Sequence, residues 1–142
     1  MFYVANSAAV TSVTVHYKTS GGAIKPGIMV MEISGAAISG VADGSVNHAS
    51  LAAATTSTSG SLTTSNAKDI LIFATDASGN ETGWTAGAGY AIPNNKLAVG
   101  ASGSDVRMAM QYAIVTSVQT NATTSMTYLS SNWNGNVFAA FK

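Results

Sequence analysis

A chain of 142 residues with 8 % charged side chains and no net charge has no electrostatic footprint for nucleic acid or an anionic membrane. It has no cysteine, so it can build neither a disulfide framework nor a thiolate metal site. It also lacks an apolar run long enough to span a bilayer, which excludes insertion by a helix.

Ala, Ser, Thr, Gly and Asn stand where charges would otherwise be, a composition that suits β-sheets joined by many turns. The length is that of one domain, 1–142, able to bury a core of its own. Near-zero net charge leaves little repulsion between copies and favours association.

In chain order, Phe2 to Ala5 reads as a short apolar strand. Thr11 to Lys18 alternates, with Val13, Val15 and Tyr17 on one face and Thr14, His16 and Lys18 on the other, the pattern of a half-buried strand. After turn signals at Gly21-Gly22 and Pro26-Gly27, Ile28 to Ser34 is apolar on both faces apart from Glu32. That pattern predicts a strand in the middle of a packed sheet.

Gly35 to Asn66 is small and polar. The Thr/Ser run after Ala52–Ala54 argues against a helix, and short strands are expected at Gly44–His48 and Ser61–Thr64. Ile70 to Thr75 is a second core strand, and Asp76 to Glu81 a polar turn.

Gly83–Gly87 and Gly89–Ile92 precede another turn at Pro93–Lys96. Val106 to Val115 is the longest strand, with Met108, Met110, Tyr112 and Ile114 on one face and Ala109, Gln111 and Ala113 on the other. Thr123–Leu129 and Asn136–Phe141 complete the set. Strands roughly ten residues apart, separated by turn chemistry, predict an all-β antiparallel sandwich, jelly-roll-like, with no substantial helix.

The Tyr-Val-Ala-Asn opening, the Val-Thr-Val strand, "MVMEISG", "LTTSNAKDILIF", "WTAGAGY" and the closing "VFAAFK" resemble a group of bacterial extracellular modules. These are jelly-roll-like β-sandwiches of large surface and secreted proteins of soil bacteria, found beside glycan-active or adhesive domains. The resemblance runs along nearly the whole chain and defines no catalytic residues. It implies an extracellular or cell-surface setting. It also implies three or four further strands before Phe2, which this chain lacks. A sandwich missing those strands would leave an edge and an apolar face to be covered, and strand addition by another copy is the expected cover. Met1 to Asn6 has no basic region followed by an apolar core, so an export signal is expected upstream of the chain.

Few residues suggest chemistry. His16 and His48 are the two histidines, and His16 lies on the polar side of its predicted strand. No His-x-His spacing is present, as a zinc site of three or four ligands would favour. The Gly-x-Ser-x-Gly elbow of a hydrolase is missing, and Gly100 to Asp105 reads as a loop.

Glu32 is expected to form a structural ion pair with Arg107. The alternative, a glycosidase carboxylate, needs a second acid within about 5–9 Å, and Asp69, Glu81 and Asp105 fall in predicted turns. Asp76, Asn80 and Glu81 make a weak Ca²⁺ candidate beside Ser78, short of the six to eight oxygens that ion takes.

Trp84, Tyr90, Tyr128 and Trp133 lie in or beside predicted turns. Aromatic faces at loop ends stack on sugar rings, so Trp133 with Asn132 and Asn134, and Trp84 with Tyr90, are the ligand-binding candidates. The leading expectation is a non-catalytic extracellular binding or adhesion module, for polysaccharide. The second is a self-assembling structural subunit of a surface fibre or virion, joined through strand edges into a homo-oligomer. A small hydrolase is the third.

Overall fold

The computed structural model describes residues 1–18, 27–50, 52–78, 83–93 and 106–142. Its regular elements are β1 (Ala42–Ala49), β2 (Ala54–Thr58), β3 (Asp69–Ser78), β4 (Val106–Val115), β5 (Ser125–Asn132) and β6 (Asn134–Phe141). The chain is all-β and antiparallel, and no α-helix occurs among the described residues.

β3 is central because its sequence is apolar on both faces. Leu71, Phe73 and Ala77 point to one side, and Ile70, Ile72 and Ala74 to the other. It is paired on both edges, with Phe73 opposite Gln111 of β4 and Phe138 of β6. The sheet order is β1-β6-β3-β4, and β2 pairs with β5 in a separate two-stranded sheet.

The two sheets enclose the larger apolar cluster. Leu71, Phe73, Ala109, Phe138 and Ala140 of the large sheet meet Met126 and Tyr128 of β5, together with Leu62 and Trp84. Phe73 and Phe138 are fully buried and pack edge-on, 6.3 Å between ring centroids. Backbones approach closely at the rim of this core. A Cβ on Gly60 would lie 2.4 Å from Val46 Cγ2, and one on Gly87 would lie 2.6 Å from the Ser125 carbonyl oxygen.

Polar side chains hold the layers together from inside. Gln111, fully buried, accepts from the Gly87 N–H at 2.8 Å and donates from Nε2 to Thr124 Oγ1 (2.8 Å) and to the Ser125 carbonyl (3.2 Å). Ser57 of β2 is also fully buried. Its Oγ accepts from Thr75 Oγ1 of β3 at 2.7 Å and from Asn136 Nδ2 of β6 at 3.0 Å. Asn134 Nδ2 donates to the Tyr128 hydroxyl at 2.9 Å.

Most predicted strands exist, with shifts. Gly44–His48 lies within β1, and Ile70–Thr75 lengthens to β3. The face assignment of Val106–Val115 is correct, since Met110 and Tyr112 sit in the outer cluster while Ala109 and Gln111 face the second sheet. Ser61–Thr64 contributes only the Leu62–Ala122 bridge. The strand in this region is instead β2, where Ser57 alternates inward from the Thr/Ser run.

The three predicted strands before residue 40 are corrected. Phe2–Ala5, Thr11–Lys18 and Ile28–Ser34 pair with no strand among the described residues. Ile28–Ser34 is not central, because β3 and β6, apolar on both faces, already hold the middle of the sheet. It crosses the sheet's outer face instead. Met29, Met31 and Ile33 pack on Ile72, Met110, Ala139 and Phe141, while Ile28 and Val30 stay 48 % and 64 % exposed. Glu32 lies on the exposed side.

Phe73→Ala should therefore cost about 3–5 kcal/mol, and Met31→Ala, at the half-buried outer face, clearly less. Urea unfolding followed by tryptophan fluorescence checks both. An equal loss at the two positions would contradict a core divided between inner and outer clusters.

Candidate functional site

The residues nominated as sugar ligands separate once folded. Trp84 is buried and packs on Tyr128, ring centroids 4.8 Å apart, so it belongs to the inner core and not to an exposed loop end. Tyr90 is half-buried against Phe138, and burial pushes its phenol pKa up. Asn134 is buried in the interlayer hydrogen bonds. Asn132 ends β5, with its Oδ1 accepting from Ser78 Oγ at 3.4 Å.

Trp133 alone of this group is open, 57 % exposed in the connection from β5 to β6, and Leu129 on β5 is 72 % exposed. Sequence reading could not tell these aromatics apart, because all four flank turns. Only the partners from distant strands decide which are covered.

The cation candidates also disperse. Asp76 is within β3, not in a turn, and its Oδ1 accepts from the Gly135 N–H at 2.9 Å. Asn80 and Glu81 lie outside the described residues. Among the described residues no group of three or more His, Cys, Asp or Glu side chains is placed to hold a metal ion. Glu32 makes no ion pair with Arg107. Glu32 is exposed on the segment that crosses the outer face and lines the cleft with Ile70 and Tyr112, whereas Arg107 stands opposite Ala77 near the start of β4.

One acidic pair went unforeseen. Asp69 opens β3 as a buried residue, 3 % exposed, and Asn66 joins it to Asp43 on β1, its N–H donating to Asp43 Oδ2 at 2.7 Å and its Nδ2–H to Asp69 Oδ1 at 3.0 Å. Asp43 reaches it because β1 shifts register between Ala42 and Ser45, where Gly44 takes a φ of 127°. A bulge of this kind re-aims a side chain. The Asp-Gly pair was the only available signal, and it says nothing of a partner so far along the chain.

The most unusual surface is the outer face of the large sheet with the chain that crosses it. Tyr3 sits edge-on to Phe141, ring centroids 5.4 Å apart, and Tyr17 donates its hydroxyl to the Gly27 carbonyl at 3.0 Å. Around these anchors Phe2, Val4, Val10, Val13, Val15 and Tyr17 are exposed, Phe2 completely. Val13 and Val15 keep the alternation of a strand without its ladder.

A cleft of about 290 Å³ lies between Met31–Ser34 and Ile70, Pro93 and Tyr112. Beside it runs the outer edge of β4, which carries the Ala91–Tyr112 bridge and, beyond it, Ile114 at 75 % exposure. Exposed apolar side chains are thus concentrated between Phe2 and Tyr17 of the sequence.

No protein-family model, curated protein or solved structure matches this chain.

The placement of the two tryptophans gives an internal contrast. Trp84→Ala should cost about 3–5 kcal/mol, whereas Trp133→Ala should stay within about 0.5 kcal/mol. Chemical denaturation of both variants measures this. A destabilising Trp133→Ala would mean that its ring is buried.

Proposed function

We propose that this chain is a non-catalytic structural subunit that assembles with copies of itself, using its extended N-terminal segments and the edge of β4. The observation that carries the reading is the unpaired, alternating segment Thr11–Lys18, with Val13 and Val15 52 % and 47 % exposed, in a chain whose sheet has an outer edge at β4. An extended segment and a sheet edge are the two halves of strand addition, in which main-chain hydrogen bonds supply affinity and alternate side chains supply fit.

A second copy suits this surface better than a charged partner. The chain carries no net charge, so copies approach without repulsion, and one alternate set of side chains on the segment, Val13, Val15 and Tyr17, is apolar and exposed. The neutral Ser/Thr/Ala/Gly-rich composition and the resemblance to bacterial surface modules add an extracellular, cell-surface or particle setting to the proposal.

A second reading rests on Trp133. An exposed indole is an apolar platform that suits the C–H face of a sugar ring, and it would make the chain a polysaccharide-binding adhesion module. The first reading is preferred because it uses several exposed residues on one surface, whereas the other nominated aromatics are covered.

Sedimentation velocity at micromolar concentration should show assemblies for the native chain. Val13→Lys with Val15→Lys should return it to monomer with an unchanged circular dichroism spectrum. A native chain that sediments only as monomer overturns self-assembly. Polysaccharide retention lost in Trp133→Ala would establish the second reading in its place.

A further inference from the structure

Asp43 and Asp69 present two carboxyl groups to each other in very different surroundings. Asp43 accepts three protein donors: the Ser65 N–H at 2.8 Å and the Asn66 N–H at 2.7 Å, both on Oδ2, and the Ser65 hydroxyl on Oδ1. Asp69 receives the Asn66 Nδ2–H at 3.0 Å on Oδ1, with the Thr64 hydroxyl also near its carboxyl. Its Oδ2 is buried and has no other donor. A carboxylate oxygen left so in the interior loses its hydration without replacement.

Among the described residues no cation is paired with either carboxyl. On β1 and the 62–68 loop the neighbours are Ser65, Asn66 and Thr64, all neutral. On β4, Val115 stands opposite Asp69, and on β6, Phe141 stands opposite Ala42. The basic residues nearest in sequence, Lys68 and Lys142, contribute backbone groups only: the Lys68 carbonyl accepts from Asn66 Nδ2, and the Lys142 N–H donates to the Val41 carbonyl. Neither ammonium group is paired with an Asp. Calcium is a poor remedy, because it needs six to eight oxygens and Asp43 already accepts three hydrogen bonds.

We infer that Asp69 keeps its proton in the folded chain and donates it from Oδ2 to the Asp43 carboxylate, a carboxyl–carboxylate hydrogen bond that pins the 62–68 loop to β1 and loosens as the pH rises. Each donor and acceptor is then used. Asp43, with three donors that include two backbone N–H groups, is the natural anion, and Asp69, the more deeply buried of the two, is the natural acid.

The electrostatics agree with that division. Hydrogen bonding, first of all from Ser65, lowers the Asp43 pKa from 3.8 to about 2, while burial raises that of Asp69 above its ordinary value. The signs oppose. Asp43 contributes stability that is present above 3.8 and lost as the pH falls toward about 2. Asp69, raised, binds its proton more tightly folded than unfolded, so its contribution is lost as the pH rises from 3.8 through its folded value. Stability should therefore peak in mild acid.

Asp69→Asn is the decisive variant. An amide keeps an acceptor for Asn66 and supplies a permanent N–H donor to Asp43, so it copies the protonated acid at every pH. The variant should match or exceed the native chain at pH 7 and lose the decline in Tm between mild acid and neutrality. Independently, the ¹³C side-chain resonance of Asp69 should titrate at higher pH than those of exposed Asp residues.

An Asp69 resonance titrating at or below the ordinary value overturns the proposal. So does an Asp69→Asn chain that folds but keeps the native pH dependence. A Ca²⁺-dependent rise in Tm that is lost in Asp69→Asn would instead make the pair a cation site, and would also overturn it. None of these outcomes depends on the state of assembly, so the inference stands or falls apart from the proposed function.

Discussion

The two sheets are held in one arrangement by buried hydrogen bonds between them. Ser57 reaches Thr75 and Asn136, Asn134 reaches Tyr128, and Gln111 reaches Gly87, Thr124 and Ser125. Each such bond adds only about 1 kcal/mol net, yet removing one partner leaves a dry polar group at a cost of about 1–3 kcal/mol. The small sheet therefore cannot slide or lift without stranding several groups together. Phe73, Phe138 and Met126 provide the apolar burial, and the polar contacts decide how the layers align over it.

That division explains which parts of the fold were legible in the sequence. Strands with strong apolar alternation, Ile70–Thr75 and Val106–Val115, could be read with their faces, since period-two burial is written into each residue. The Ser/Thr-rich stretch was read as a polar excursion, but it holds β2 and one of the most buried side chains of the molecule, Ser57. Small hydroxyl side chains serve equally on a wet loop and in a dry layer if a partner waits there. Their partners come from β3 and β6, and no local pattern announces them.

The candidate site was legible only in part. The expectation of an apolar face needing cover came from the sequence, but its location did not. Ile28–Ser34, read as the heart of a sheet, lies over the sheet's outer surface, with Met29, Met31 and Ile33 facing in. Periodicity reports that one side of a segment is apolar; it does not report whether the segment has a ladder. The aromatic candidates could not be told apart for a similar reason. Trp84 and Trp133 look alike in sequence, but one meets Tyr128 and the other meets water.

The register shift in β1 has a wider consequence. The large sheet ends in two edges, and they are not equivalent. On β1, the shift between Ala42 and Ser45, with Asp43 turned to clamp Ser65 and Asn66, breaks the even row of backbone groups that an incoming strand would need. β4 carries an unbroken ten-residue register on its inner side, from Val106 to Val115. Its outer side takes the Ala91–Tyr112 bridge, so the two edges of the sheet are interrupted in different ways. In the proposed assembly, a segment of one copy on the rest of the β4 edge of the next would make a head-to-tail contact, which would either close into a ring or continue as a filament.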